Sequence, residues 1–228
     1  MNTIPRSEHP KPQFRRDSWM NLNGQWAFEI DNGRGGKARG LHQADAQLSD
    51  TILVPFCPQS ELSGVNHKDF LYGVWYRRTV TLTKEQLSGR VVLHFGAVDY
   101  HCEAFVNGVS VGTHTGGYVS FCFDVTEAVH EGENVITVYA EDDERDPLIP
   151  RGKQSELFYS HGCDYTRTTG IWQTVWLEFL PETHIEKIKI FPNVETGSFD
   201  VEALLKGAGT LAVEASYEGR PMGAASVR

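Results

Sequence analysis

The chain consists of short segments in which apolar and polar residues alternate, the pattern of strands with one buried face. In the segment 75–82, for example, Tyr76, Arg78, Val80 and Leu82 share one face. Asn107-Gly108 separates two such segments and is a strong hairpin signal. Turn signals between many short strands favour an antiparallel sandwich. The predicted strands are Gln25–Ile30, Trp75–Leu82, Val91–Phe95, Tyr100–Val106, Val109–Val111, Tyr118–Val125, Val135–Ala140 and Ile171–Phe179.

Helical signals are scarce. Thr83 and Gln86 have the spacing of a capping box, which predicts a single capped turn, and a second turn is expected from Thr126. Residues 1–20 contain prolines and basic residues, and we expect an extended arm lying over the core. The segment from Glu141 to Asp164 shows no strand alternation, and a loop of this length inside a compact domain is usually functional.

Pro181 marks an expected domain boundary, with a first domain over residues 1–181 and a second over 182–228. Beyond it, His184–Phe191, Phe199–Leu205 and Leu211–Tyr217 alternate like strands. Three strands do not close a sandwich. We therefore expect a second β domain that continues beyond residue 228.

Composition narrows the choice of partners. The 228 residues carry a formal net charge of −9, which argues against nucleic acid and favours uncharged partners. The N-terminus shows neither a signal-peptide core nor a membrane-spanning run, so we expect a cytoplasmic chain without membrane contact. Its four cysteines lack CxxC spacing and are expected as thiols, with pairing of Cys102 and Cys122 left open.

Several motifs together resemble a known family. In chain order, and with matching spacing, they are Leu22-Asn-Gly-Gln-Trp-Ala-Phe28, Gly73-Val-Trp-Tyr-Arg-Arg78, Val98-Asp-Tyr100, Val106-Asn-Gly108, Gly112-Thr-His-Thr-Gly-Gly-Tyr118, Phe123-Asp-Val-Thr126, Pro150-Arg-Gly-Lys-Gln154 and the stretch from His161 to Trp176. The chain resembles the amino-terminal part of family 2 glycoside hydrolases, which include β-galactosidases, β-glucuronidases and β-mannosidases. The resemblance extends from about Phe14 to Phe179.

The resemblance implies an all-β chain: a galactose-binding-like jelly-roll sandwich followed by the beginning of an immunoglobulin-like β-sandwich. In the family a TIM barrel follows and carries two catalytic glutamates. We therefore assign no catalytic residue to this chain, and we expect it to be inactive alone as part of a retaining exo-β-glycosidase, with β-galactosidase favoured over β-glucuronidase. A β-linked sugar, the chain's own barrel and a homo-oligomer are the partners that the resemblance suggests.

Asp164 is the main candidate for substrate binding. In family members the aspartate six residues before a Gly-Ile pair reaches the sugar, and Asp164 has this spacing to Gly170-Ile171. An ionised carboxylate only accepts hydrogen bonds and suits two hydroxyl donors. The alternative is a loop aspartate held by Arg167 or by backbone amides.

Three further substrate contacts are predicted around Asp164, namely Tyr165, Lys153 and Gln154, the last two from the resemblance. For Arg167 an orienting role in the loop is favoured. Trp172 and Trp176 share a strand face, and packing is favoured over stacking on a sugar ring.

No metal or cofactor is predicted. The acidic run from Glu141 to Glu144 lacks the ligand alternation of a calcium loop and is expected to be a solvated loop. His101-Cys102 and His161-x-Cys163 have no partner at zinc-site spacing. No phosphate-binding, dinucleotide or serine-hydrolase motif is present.

Two other function classes stay open. The chain could be an independent carbohydrate-binding module, which would bind sugars without a barrel. It could also be a purely structural domain at an interdomain or oligomer interface. Sugar affinity of the chain alone separates the first from a site-completing role, and substitution of Asp164 tests the second.

Overall fold

A computed structural model describes residues 4–228 and divides into two compact units between Phe179 and Leu180. The division lies beside the expected boundary at Pro181, and the domain assignments themselves stay predictions. The strands of the first unit are β1 (Trp19–Asn21), β2 (Gly24–Ile30), β3 (Asp50–Val54), β4 (Gly73–Leu82), β5 (Arg90–Phe95), β6 (Val98–Asp99), β7 (His101–Val106), β8 (Val109–Thr115), β9 (Phe121–Asp124), β10 (Gly132–Glu141), β11 (Gly170–Ile171) and β12 (Val175–Leu180). Short 3-10 turns occur at Pro12–Phe14, Glu61–Ser63 and Thr126–Ala128.

The first unit is a β-sandwich, which confirms the predicted all-β fold class. Its larger sheet has the order β3-β2-β4-β10-β7-β8, and the smaller one has the order β1-β12-β5-β9. Both sheets contribute to one buried apolar cluster, with Phe28 and Tyr76 from the larger sheet and Leu93, Phe95 and Leu177 from the smaller. Strands β11 and β6 form a separate two-stranded ladder between Gly170 and Asp99 and between Ile171 and Val98.

The local turn signals are confirmed. Asn107 and Gly108 both have positive φ, 52° and 83°, as the two-residue turn between β7 and β8 requires. The Thr83 backbone N–H donates to Gln86 Oε1 at 2.8 Å, and the Gln86 N–H donates to Thr83 Oγ1 at 3.4 Å, so the capping box is reciprocal. The prediction of one continuous strand over Ile171–Phe179 is wrong, however.

The chain breaks regular pairing at 172–174, between β11 and β12. Here Trp172 N–H bonds the carbonyl of Ala97, and the carbonyl of Thr174 accepts from Gly96 N–H. The expected two-faced alternation also ends there, because every residue of β12 is buried. Strand β9 is likewise shorter than the expected 118–125, since Tyr118 and Val119 lie in an exposed turn.

The amino-terminal arm packs on the first unit as expected from Ile4 onward, and residues 1–3 of the predicted arm lie outside the described residues. His9 is buried against Trp19 and Trp176, with ring centroids 4.7 and 6.5 Å away. Backbone carbonyls of Pro5 and Arg6 accept hydrogen bonds from the Asn23 amide at 3.1 and 3.3 Å.

The second unit contains two hairpins rather than the three expected strands. Its strands are β13 (His184–Asn193), β14 (Ser198–Lys206), β15 (Leu211–Tyr217) and β16 (Arg220–Val227). β13 pairs with β14 and β15 pairs with β16, all antiparallel. The last strand was missed because its residues, which include Pro221 and Gly223, show no alternation of apolar and polar side chains.

The four cysteines, all within the described residues, form no disulfide. Cys102 lies buried in β7 of the larger sheet, whereas Cys122 lies in β9 of the smaller sheet. Within residues 4–228 the helical segments are three-residue 3-10 turns, none of which could span a bilayer.

Candidate functional site

The long segment between β10 and β11 is held by one buried arginine. Arg167 is only 1% exposed, and its guanidinium stacks on Phe70, 4.3 Å from the ring centroid. It donates hydrogen bonds to the carbonyl oxygens of Lys68, Ser155, Leu157 and Phe158. Arg167 therefore orients the loop, as the sequence predicted.

Asp164 closes a tight turn on this segment. The His161 N–H donates to the Asp164 carbonyl at 3.1 Å, and the Asp164 N–H donates to the His161 carbonyl at 2.8 Å. This reciprocal pair fixes the backbone at both ends of the turn. The Asp164 side chain remains 22% exposed, so its carboxylate is held at the surface rather than in the core.

The Asp164 carboxylate lies among polar side chains of the same segment. Its Oδ2 is 3.9 Å from His161 Nε2, which in turn is 3.7 Å from Glu156 Oε2. The Cys163 thiol contacts Asp164 Oδ1 at 4.0 Å. Arg167 is not among these neighbours, because its guanidinium is engaged with backbone carbonyls.

Tyr165 and Lys153 lie side by side on two paired backbone stretches. The Tyr165 N–H donates to the Lys153 carbonyl at 2.7 Å, and the Ser155 N–H donates to the Tyr165 carbonyl at 2.8 Å. The Tyr165 side chain is 60% exposed, and Lys153 is also exposed. Both side chains are therefore accessible to a ligand, and their substrate contacts stay predictions.

Gln154 lies beneath them and is buried. Its Nε2 donates to Asp99 Oδ2 at 2.8 Å, and its Oε1 accepts from the Thr168 N–H. Both ends of the amide thus bind the fold, which gives Gln154 a role in holding the segment against β6. Its predicted contact with substrate remains a prediction.

The acidic run was expected to be solvated, and this is wrong for two of its members. Asp142 is 3% exposed and Glu144 is 2% exposed. Burial, followed by the charges of Asp99 and Glu144, raises the pKa of Asp142 to about 8, and burial raises the pKa of Asp99 to about 6. A carboxyl that is neutral near pH 7 tolerates burial, which the sequence alone does not reveal.

Trp176 is fully buried and stacks on His94 with ring centroids 4.7 Å apart, so packing is confirmed for this indole. Trp172 is half-buried, and its Nε1 donates to the Gly117 carbonyl at 2.8 Å. Tyr118 packs edge-on against the same indole at 6.0 Å and donates to the Arg151 carbonyl at 3.2 Å. These contacts join the turn after β8 to the segment that carries Asp164.

Two neighbours of Asp164 were missed by sequence reasoning. Glu156 belongs to no motif, and His161 begins a motif but was considered only as a metal ligand with Cys163; their proximity to Asp164 depends on how the segment folds back after Ser155. A groove of about 570 Å³ reaches Glu156. It is lined by Glu144, Arg145, Asp146, Pro147, Ile149, Arg151 and Glu156.

Comparison with known proteins gives relatives of one family. The chain is 34% identical over 123 residues to a β-galactosidase of Thermoanaerobacter pseudethanolicus, which covers 53% of this chain and 16% of that protein. It is 31% identical over 184 residues to a putative β-glucuronidase of Formosa agariphila, which covers 81% of this chain and 21% of that protein. The chain thus spans about a fifth of the length of these relatives.

Solved structures agree on the fold. A β-glucuronidase from Ruminococcus gnavus, in complex with D-glucaro-d-lactam, superposes with a TM-score of 0.77 at 18% identity, over 96% of this chain and 39% of that one. The family model for glycosyl hydrolases family 2, sugar binding domain, matches residues 19–181. The sandwich and the segment carrying Asp164 both lie within that range. The chain therefore belongs to glycosyl hydrolases family 2 through its sugar binding domain.

Proposed function

We propose that the chain contributes the Asp164 carboxylate to the sugar pocket of a retaining exo-β-glycosidase whose other parts lie outside these 228 residues. One observation carries the proposal. One alternative for Asp164 was an ion pair with Arg167, but both terminal nitrogens of Arg167 donate to backbone carbonyls instead. Asp164 is thus fixed by its backbone while its partly exposed side chain remains available.

The chemistry suits a sugar. Each carboxylate oxygen accepts hydrogen bonds, so one aspartate can orient two adjacent hydroxyl groups through charge-assisted bonds. Tyr165 and Lys153 are exposed beside it and would extend the contact. The buried Gln154 would act indirectly, because its hydrogen bond to Asp99 holds the segment in place.

Hydrolysis itself is proposed to occur elsewhere in the longer protein. A retaining glycosidase needs an acid/base carboxyl and a nucleophile about 5–5.5 Å apart. We assign neither to this chain and propose a TIM barrel as their source, with this chain forming one wall of the pocket. The purified chain should therefore show no turnover of a nitrophenyl β-glycoside, and measurable turnover would overturn this division of labour.

A neutral galactoside is the proposed substrate, with a glucuronide as the second candidate. Among the described residues near Asp164 are Glu156, which pairs with Arg151, and the exposed Lys153. These two carboxylates and two cations balance, so the preference for a galactoside rests on the resemblance rather than on local charge. The longer protein should be assayed with a nitrophenyl β-galactoside and with a nitrophenyl β-glucuronide. We expect the higher kcat/KM with the galactoside, and a higher value with the glucuronide would reverse the assignment.

Substitution of Asp164 tests the proposal. Loss of one charge-assisted hydrogen bond costs about 1.5–3 kcal/mol, so Asp164→Ala in the longer protein should lower kcat/KM about 10- to 100-fold or more. The exposed Asp17, changed to Asn, is the matched control and should leave kcat/KM unchanged. A normal rate for Asp164→Ala with the fold intact would remove the proposed role.

An independent carbohydrate-binding module is the second candidate function, because aromatic side chains lie exposed near Asp164. Phe158 is 60% exposed, Tyr159 is 65% exposed and Tyr165 is 60% exposed, and aromatic faces stack on sugar rings. Calorimetric titration of the chain with galactose and with β-galactosides separates the two functions. Saturable binding favours a module, whereas the site-completing role predicts none, since a lone aspartate does not hold a sugar.

A further inference from the structure

Three metal-ligating side chains meet beside the tight turn of Asp164. The candidate ligand atoms of Glu156, His161 and Asp164 all lie within 4.8 Å of one another. His161 Nε2 is 3.7 Å from Glu156 Oε2 and 3.9 Å from Asp164 Oδ2. These separations are too long for hydrogen bonds. Among the described residues, this imidazole nitrogen has no hydrogen-bond partner, although the atom itself is buried.

The spacing suits ligands of one small cation. Ligand atoms at about 2.0–2.2 Å from a common zinc ion lie about 3.3–3.6 Å apart in a tetrahedron. The two distances to His161 exceed this spacing by a few tenths of an ångström, and the two carboxylates lie within 4.8 Å of each other, so ion binding requires small side-chain rotations. One imidazole and two carboxylates form a donor set for Zn²⁺, whereas Mg²⁺ and Ca²⁺ prefer oxygen ligands alone.

The backbone holds these ligands in place. His161 and Asp164 are the two ends of one turn closed by reciprocal hydrogen bonds of 3.1 and 2.8 Å. Glu156 follows Ser155, whose carbonyl is bound by Arg167 at 3.1 Å. The side chains of Glu156, His161 and Asp164 are 42%, 34% and 22% exposed, so an ion can enter from solvent and keep a water ligand.

A nearby cation competes for one ligand. Arg151 Nη1 donates to Glu156 Oε2, the same oxygen that faces His161. With a neutral imidazole, the two carboxylates and this guanidinium leave one net negative charge at the cluster. A divalent ion must share Glu156 with Arg151 or displace it, so removing the guanidinium should strengthen ion binding.

We propose that Glu156, His161 and Asp164 bind one divalent ion of the Zn²⁺ class, with water completing the coordination. The site lies at the surface of the sugar binding domain and uses only residues of this chain. Where Asp164 also receives a sugar hydroxyl, ion and sugar compete for one carboxylate. That consequence rests on the proposed function, whereas ion binding is measured without any sugar.

Calorimetric titration of the chain with ZnCl2, under reducing conditions, tests the site. We expect one saturable ion per chain, with affinity reduced about tenfold or more in His161→Ala and in Glu156→Gln. Arg151→Gln should bind Zn²⁺ more tightly than the unchanged chain. MgCl2 should give no comparable binding.

Two controls separate this site from adventitious binding. His130→Ala removes an exposed histidine that is distant in sequence from Glu156, His161 and Asp164, and it should leave the Zn²⁺ affinity unchanged. Cys163→Ser tests the neighbouring thiol, and it should also leave most of the affinity. The proposal is overturned if no saturable Zn²⁺ binding occurs, if His161→Ala binds like the unchanged chain, or if only Cys163→Ser abolishes binding. Circular dichroism verifies that each variant is folded.

Discussion

Gly170 joins the candidate segment to β11 at a point where a side chain has no room. Its φ is +76°, a left-handed conformation that L-residues rarely adopt. A Cβ at this position would lie 2.2 Å from the Tyr76 hydroxyl oxygen. That hydroxyl also accepts a hydrogen bond from the Ile171 N–H at 3.2 Å, deep in the core. Gly170→Ala should therefore destabilise the first unit.

The magnitude follows from two costs. A left-handed alanine costs about 1–2 kcal/mol, and overpacking of the core costs about 1–3 kcal/mol. The free energy of unfolding should thus fall by about 2–5 kcal/mol. Tyr76→Phe alone leaves a buried N–H without its acceptor and should cost about 1–3 kcal/mol.

The double variant tests whether the hydroxyl is the atom in conflict. Tyr76→Phe removes that oxygen, so Gly170→Ala should cost less in a protein that already carries Tyr76→Phe, with a coupling energy of about 1–3 kcal/mol. Relief is partial, because ring carbons of Tyr76 lie 3.0 Å from the built Cβ and the left-handed strain persists. Gly33→Ala, where a Cβ meets nothing within 4 Å, is the control and should be nearly neutral.

Urea unfolding followed by tryptophan fluorescence is the assay. All five tryptophans precede residue 180, so the signal reports the first unit only. If the two substitutions add within about 0.5 kcal/mol, the hydroxyl does not face Gly170 and the reasoning fails.

Three further stability predictions use the same assay. Burial raises the pKa of Asp142 to about 8, so the folded state holds its proton more tightly and the free energy of unfolding falls as pH rises from about 4 to 8. Asp142→Asn should flatten this fall by at most about 1.4 kcal/mol per pH unit, and a slope equal to that of the unchanged chain would contradict the prediction. Asp31 accepts the Trp75 indole N–H at 3.0 Å in the core, so Asp31→Ala should cost about 1–3 kcal/mol, and an unchanged midpoint would refute that bond. Arg167→Met leaves four carbonyls without their donor and should cost on the order of 3–5 kcal/mol, with a loss below 1 kcal/mol counting against its holding role.

Local patterns predicted much of the sandwich. The second half of β4 alternates between exposed Thr79 and Thr81 and buried Val80 and Leu82. Asn107-Gly108 and Thr83 with Gln86 form turns from residues at most four positions apart, so local sequence is enough to predict them. The break at 172–174 depends instead on pairing with residues 96–97, which are distant in sequence.

The candidate site was predicted less completely, for the same reason. The position of Asp164 came from a motif, but Glu156 reaches His161 only because Arg167 and Ser155 fold the segment back. Burial of Asp142 raises its pKa to about 8, whereas an aspartate in a sequence is expected to be charged and therefore exposed. Long-range packing and protonation state are the two properties that one sequence does not display.

The central claim is that Asp164 touches a sugar hydroxyl, and kinetics with deoxy substrates test it most directly. The longer protein and its Asp164→Ala variant should be assayed with a nitrophenyl β-galactoside and with each of its monodeoxy analogues. We predict that one or two analogues lose about tenfold or more in kcat/KM with the unchanged protein but lose nothing further with the variant. The account is contradicted if every analogue loses the same factor with both proteins, because Asp164 would then act without contacting the sugar.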